Sequence, residues 1–85
     1  MKLRLLYFAR LREAFERSGE EVELPASIRD VGGLVEWLRA RGGAWSAELA
    51  AGRAFRIAVD QNMATLHTTL RSGAEVAIFP PVTGG

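Results

Sequence analysis

The chain has 85 residues, enough for one domain and small for one that folds unaided. Hydrophobic residues at 48% and charged residues at 25% exclude a chain too polar to collapse. The absence of cysteine excludes disulfides and thiolate metal sites, and a net charge of +1 excludes the basic footprint of a nucleic-acid binder.

Residues 2–8, KLRLLYF, alternate as a strand. Leu3, Leu5 and Tyr7 share one face; Lys2, Arg4, Leu6 and Phe8 share the other, charged at its start and apolar at its end. A lysine before apolar residues also suggests a leader segment. Arg4 and Arg10 interrupt it, however, and no small-residue cleavage site follows. No run is long enough to span a bilayer, so no membrane role and a cytoplasmic location are expected. The spacing of Leu11, Ala14 and Phe15 predicts a short helix within 9–19, with Glu13 four residues before Arg17 and Gly19 as its stop.

Residues 20–24, EEVEL, read as a second strand closed by Pro25. Within 27–43, Val31, Leu34, Val35 and Leu38 form one helical stripe, with Ser27 or Asp30 as the N-cap and Gly42-Gly43 as the end. Gly32 and Gly33 weaken this helix by about 1 kcal/mol each relative to alanine, which close packing against a sheet would explain. Trp45 and Leu49 pair at i,i+4 in a short helix or helical turn. Residues 54–60, AFRIAVD, point Phe55, Ile57 and Val59 inward as a third strand. A turn at 60–62 and a short extended piece from Met63 to Leu66 follow. After a turn at Ser72-Gly73, the last strand places Val76 and Ile78 on one face, Ala77 and Phe79 on the other.

Only one main amphipathic helix is present, so a single sheet must wrap over it. The order predicts an α+β fold, a ubiquitin-like β-grasp: a mixed sheet of about five strands packed on one main helix plus short helices. Residues 1–79 would form this domain, with the last strand inside the sheet beside the first, and residues 80–85 an extended tail.

Side-chain chemistry is sparse. His67 has no carboxylate or second histidine at ligand spacing and reads as solvent-facing or hydrogen-bonded, so no metal site is expected. No nucleophile–base pair or phosphate loop is visible either. Arg4, Arg10, Arg12, Arg17, Arg53, Arg56 and Arg71 read as a solvated shell, one or two of them available to a partner's acids. The ending FPPVTGG is more specific. Pro80 and Pro81 stiffen the exit from the sheet, Val82 and Thr83 are stiff at χ1, and Gly84 and Gly85 make a slender tip. Alone, this ending also reads as a strand stopped by prolines with a flexible glycine remainder.

The stretches LYFARLRE, AVDQ and LRSGAEVAIFPPVTGG, with the overall length, resemble the small subunit of molybdopterin synthase, a family of β-grasp sulfur carriers. Asp60 stands where the family pattern has asparagine, and Ala74 where it has aspartate; both fall in turns. The resemblance turns the ending toward a carrier tail and implies sulfur donation in molybdenum cofactor synthesis. The Gly85 carboxylate would be adenylated by an ATP-dependent enzyme of the ubiquitin-activating type. A sulfurtransferase would then supply sulfur for a thiocarboxylate. The tail, Gly84 and Gly85 foremost, would enter the large subunit in a heterotetramer of two small and two large chains, and the sulfur would pass to cyclic pyranopterin monophosphate to build the dithiolene. The chain itself would bind no cofactor; a glycyl adenylate and a 1-thioglycine would be its covalent states. It would be a non-catalytic sulfur-donor subunit, with the active site on the large subunit.

The resemblance also implies that Phe8, Met63 and Phe79 contact the large subunit, together with Pro80, Pro81, Val82 and Thr83. The alternative for the apolar three is a second small core beneath a loop or short helix, and Leu6 fits either. Two other functions fit a Gly-Gly ending: a carrier for thiamine synthesis or tRNA thiolation, and a ubiquitin-like modifier or passive interaction module.

Overall fold

The first and last strands lie side by side. In the computed structural model, which describes residues 1–81, β1 (Lys2–Tyr7) pairs in parallel with β5 (Glu75–Phe79), placing Tyr7 level with Ile78. β2 (Gly19–Glu23) runs antiparallel along β1, and β3 (Arg56–Val59) antiparallel along β5. β4 (Asn62–Met63) completes the order β2-β1-β5-β3-β4. This is the mixed five-stranded sheet of a ubiquitin-like β-grasp, with α1 (Ala9–Phe15), α2 (Val31–Arg39) and α3 (Ala44–Glu48) beside it.

Alternation along the strands sends one set of side chains under the sheet. Leu3, Leu5, Tyr7, Val76, Ile78 and Ile57 are buried there with the α2 stripe Val31, Leu34, Val35 and Leu38. Leu11 and Phe15 of α1 and Leu49, which follows α3, close the same core. Removing any of these large side chains costs about 2–5 kcal/mol, the usual range for buried aliphatic truncation.

Several local readings are corrected. α1 stops at Glu16, not Gly19: Glu16 adopts the left-handed conformation at φ 55° and returns its N–H to the helix carbonyls. Gly19 instead opens β2, where an added Cβ would stand 2.5 Å from the Leu5 carbonyl oxygen. At α2, Asp30 is the N-cap, its Oδ1 accepting the Gly33 N–H at 2.8 Å, while Ser27 precedes the helix in a turn. Gly32 does not face the sheet. Its N–H donates to the Leu66 carbonyl at 2.9 Å, an approach that a side chain would crowd at 3.2 Å. At Gly33 the nearest obstacle is Ile28. The third strand begins at Arg56, leaving the half-buried Phe55 before it, and the extended piece after the turn ends at Met63. Residues beyond Met63 fold instead over the start of α2. There Thr68 O accepts the Val31 N–H, so the first amides of the helix all have acceptors.

Candidate functional site

Strand register decides what the outer face of the sheet presents, because paired residues project to the same side. Leu6 pairs with Ala77, Ala77 with Ala58, and Ala58 with Met63, so an apolar row crosses four strands. The Phe8 N–H donates to the Ile78 carbonyl at 3.3 Å, extending the β1–β5 pairing by one residue and carrying Phe8 to the end of that row nearest the tail. Phe79, half-buried, sits beside Arg56 at the same end. In the opposite direction the face turns charged: Glu21, Arg4 and Glu75 lie in register.

The structure therefore gathers Phe8, Met63 and Phe79 on the sheet surface away from α2. Phe8 is 46% and Met63 63% exposed, and neither belongs to the buried core. Leu6 lies on the same face, half-buried. Pro80 and Pro81 are half-buried at the root of the tail. Val82, Thr83, Gly84 and Gly85, the rest of the expected tail, lie outside the described residues. Alternation puts Ala77 on the outer face, but the sequence does not show that Ala58 and Ala77 bridge Leu6 to Met63. The signal for them lies in strand register, and register needs the pairing partner.

Phe8 is followed by Ala9 at φ 52°, a left-handed residue with a Cβ. That turn leads the chain from the end of β1 straight into α1, at a cost of about 1–2 kcal/mol relative to glycine in the same conformation. Two more such residues, Asp60 and Gln61 at φ 48° and 69°, make the tight hairpin between β3 and β4 that places Met63 opposite Ala58.

A polar clasp lies beneath this same end of the sheet, where Tyr7 is level with Ile78. The Tyr7 hydroxyl, under the sheet, donates to Glu20 Oε2 at 2.6 Å. Arg41 donates to both Glu20 oxygens at 2.7 and 3.1 Å, and Arg17 to Oε1 at 3.2 Å. Trp45 stacks on Phe15 with ring centres 3.8 Å apart, and the Arg41 guanidinium lies over Trp45 at 4.5 Å. Burial pushes the Tyr7 phenol well above its ordinary value, with the bond to Glu20 and its charge adding to the rise. For Glu20, burial works upward, but the hydrogen bonds from Arg41 and Tyr7 and the charges of Arg41 and Arg17 outweigh it. The carboxyl therefore sits below its usual range. The Arg41 pKa rises, chiefly through its hydrogen bonds to Glu20. This network ties α1, β2, α2 and α3 together.

His67 is exposed and its backbone N–H donates to Thr65 Oγ1 at 3.2 Å. Among the described residues no cluster of His, Asp or Glu is suited to a metal, and no helix is long and apolar enough to cross a membrane. What the described residues offer is an apolar sheet face ending where the last strand releases the tail.

Residues 5–85 match the pattern of the ThiS family. The chain belongs to the ThiS family. Curated relatives agree over nearly the full length. The molybdopterin synthase sulfur carrier subunit of Haemophilus influenzae is 31% identical over 98% of this chain and 99% of its own. That of Escherichia coli is 35% identical over the same shares. Among solved structures, the putative molybdopterin converting factor subunit 1 of Pyrococcus furiosus superposes with a TM-score of 0.80 at 29% identity, covering 96% of this chain and 99% of that one. Subunit 1 or 2 in the complex of the two molybdopterin-converting factor subunits from Helicobacter pylori superposes at 0.67 and 21% identity over the whole of both chains, a likeness of fold. This ThiS-family chain thus has the ubiquitin-like sulfur-carrier fold, and the family match runs through Gly84 and Gly85 to the last residue.

Proposed function

We propose that the chain is the sulfur-carrier subunit of a molybdopterin synthase. The observation that carries this reading is the near full-length likeness to chains of that name, running from β1 through the terminal glycines. The chemistry follows from what a glycine carboxylate lacks. It is a poor electrophile, because displacement must expel an oxide-like group. Attack of the Gly85 carboxylate on the α-phosphorus of ATP, bound by an enzyme of the ubiquitin-activating type, expels pyrophosphate and leaves an acyl adenylate. A sulfur held as a persulfide on a sulfurtransferase then displaces AMP to give an acyl disulfide. A thiol cleaves its S–S bond, leaving the thiocarboxylate and a disulfide on the donor. The thiocarboxylate sulfur is ionised near neutrality and nucleophilic, as a thiolate is.

The large subunit would receive this tail and hold cyclic pyranopterin monophosphate, the sulfur acceptor. The outer face gives the docking reading its support. Phe8, Met63 and Phe79 form an apolar surface at the root of the tail, and binding there would set the tail's direction of entry. Pro80 and Pro81 limit the conformations lost on insertion, and Gly84-Gly85 present a carbonyl with no neighbouring side chain.

Co-expression with an adenylating enzyme and a sulfur source, followed by intact mass, tests the carrier step. Replacement of one oxygen by sulfur is the expected product. An unmodified chain under conditions that convert a known carrier would overturn the proposal. Adding a molybdopterin synthase large subunit and the pyranopterin precursor then tests the pathway through dithiolene formation.

A further inference from the structure

We infer that the chain keeps acylable amines away from its own tail, so that an activated Gly85 carbonyl does not ligate to the chain that bears it; the inference rests on the carrier reading above. An acyl adenylate is also open to attack by a neutral amine. The nitrogen lone pair forms a C–N bond to the carbonyl carbon, the bond to the AMP oxygen breaks, AMP leaves with the electron pair, and the amine proton passes to water. The product is an amide, and the carrier is spent. A chain with an activated carboxyl on six trailing residues therefore has to control where its amines stand.

The sequence has one lysine, Lys2, among 11 Lys plus Arg. Arginine keeps the positive charge while offering no nucleophile, because its guanidinium remains protonated and only donates. A cation at the tail root is such a residue: Arg56, exposed and paired with Phe79. On α1, Arg10 bonds Glu48 at 2.9 Å.

Both amines stand at the opposite end of the sheet. The Lys2 carbonyl accepts the Gly73 N–H at 2.7 Å, so Lys2 is level with the turn that precedes β5. From there to Phe79 the strand advances about 20 Å, at roughly 3.3 Å per residue. The tail beyond Phe79 can span at most about 20 Å when fully extended. To meet Lys2 it would have to reverse at Pro80-Pro81 and run straight back along the whole strand. The Met1 ammonium is at the same far end, ion-paired with Glu23 at 3.0 Å and donating to Leu24 O at 3.1 Å. Because β1 and β5 are parallel, the start of the chain and the end of its last strand are held apart by the length of the sheet.

The test uses the full chain prepared as a Gly85 thioester by intein cleavage, which supplies an activated carbonyl without an adenylating enzyme. Its outcome is thus separate from that of the carrier proposal. Aminolysis here breaks the C–S bond and releases the thiol. The native chain and Lys2→Arg are expected to hydrolyse to the free acid at equal rates. Arg56→Lys, which puts an amine beside Phe79, is expected to accumulate a species lighter than the free acid by one water, joined at position 56. An effective concentration of ~1 mM makes this on the order of 1,000-fold faster than ligation between chains at ~1 μM. Arg71→Lys, near the Lys2 end, should behave as the native chain does. Self-ligation of the native chain at Lys2, or hydrolysis of Arg56→Lys at the native rate without a ligated product, overturns the inference.

Discussion

Asp60 holds Glu75 at two points: its N–H donates to the Glu75 carbonyl at 2.8 Å, and its Oδ1 accepts the Glu75 N–H at 3.0 Å. The same residue occupies a left-handed position in the β3–β4 hairpin. One side chain thus fastens the turn that carries Met63 to the start of the last strand. Asp60→Ala loses the side-chain bond and places a less suitable residue at positive φ, for an expected loss of about 1–2 kcal/mol. Asp60→Asn keeps an acceptor and a residue that tolerates the conformation, and should stay within about 0.5 kcal/mol. Urea unfolding of the pair checks this; equal stability of the two variants would count against the clasp.

Acid should reveal the Glu20 network. The folded state holds this carboxyl below its ordinary pKa, so the unfolded chain binds the proton more readily. The stabilisation is complete above the unfolded carboxylate value near ~4.3 and is lost as pH falls through the lower folded value. Glu20→Gln lacks this titration. It should be less stable than the native chain at pH 7, and the difference should narrow as pH drops below about 4. Thermal melts across pH check the trend, and a gap that widens in acid would contradict it.

Gly19→Ala should be costly without any change of charge or polarity. Its Cβ would meet a backbone oxygen at 2.5 Å, and β2 would have to shift away from β1. A loss of about 2 kcal/mol is expected, the middle of the range for forced overpacking. Gly32→Ala meets the Leu66 carbonyl at a more forgiving 3.2 Å. Its crowding is partly offset by the helix propensity gained, so denaturation should rank it milder than Gly19→Ala.

For the outer face, Met63→Glu and Phe8→Glu alter side chains that contribute little to the core. Neither should change the melting temperature by more than a few degrees. If this face receives the large subunit, each should weaken the complex about tenfold or more, as apolar anchors at interface centres do. Titration calorimetry measures the affinity, and native-like binding by both variants would remove the face from the proposed interface.

Much of this architecture can be read from period alone. Leu3, Leu5 and Tyr7 alternate because one face of β1 is buried, and Val31, Leu34, Val35 and Leu38 repeat because one stripe of α2 is. The outer position of Phe8 and Phe79 follows from the same parity. Features that depend on distant pairing are not legible in this way. Nothing local to Gly19 announces the Leu5 carbonyl, and Arg41 reaches Glu20 across 21 positions. The glycines of α2 suggested sheet packing, whereas Gly32 makes room for the chain around Leu66. The tail is the reverse case, conspicuous in sequence through Pro80-Pro81 and Gly84-Gly85.

The parallel pairing of β1 with β5 also has a mechanical consequence. A pull on the tail, opposed by a hold at the start of the chain, runs along both strands in opposite directions. The hydrogen bonds between them lie across that force and share it in shear, whereas a hairpin pulled at its open end would peel one bond at a time. An enzyme that grips the tail and tugs therefore works against the strongest direction of the sheet. The domain can serve as a handle for its own last atoms.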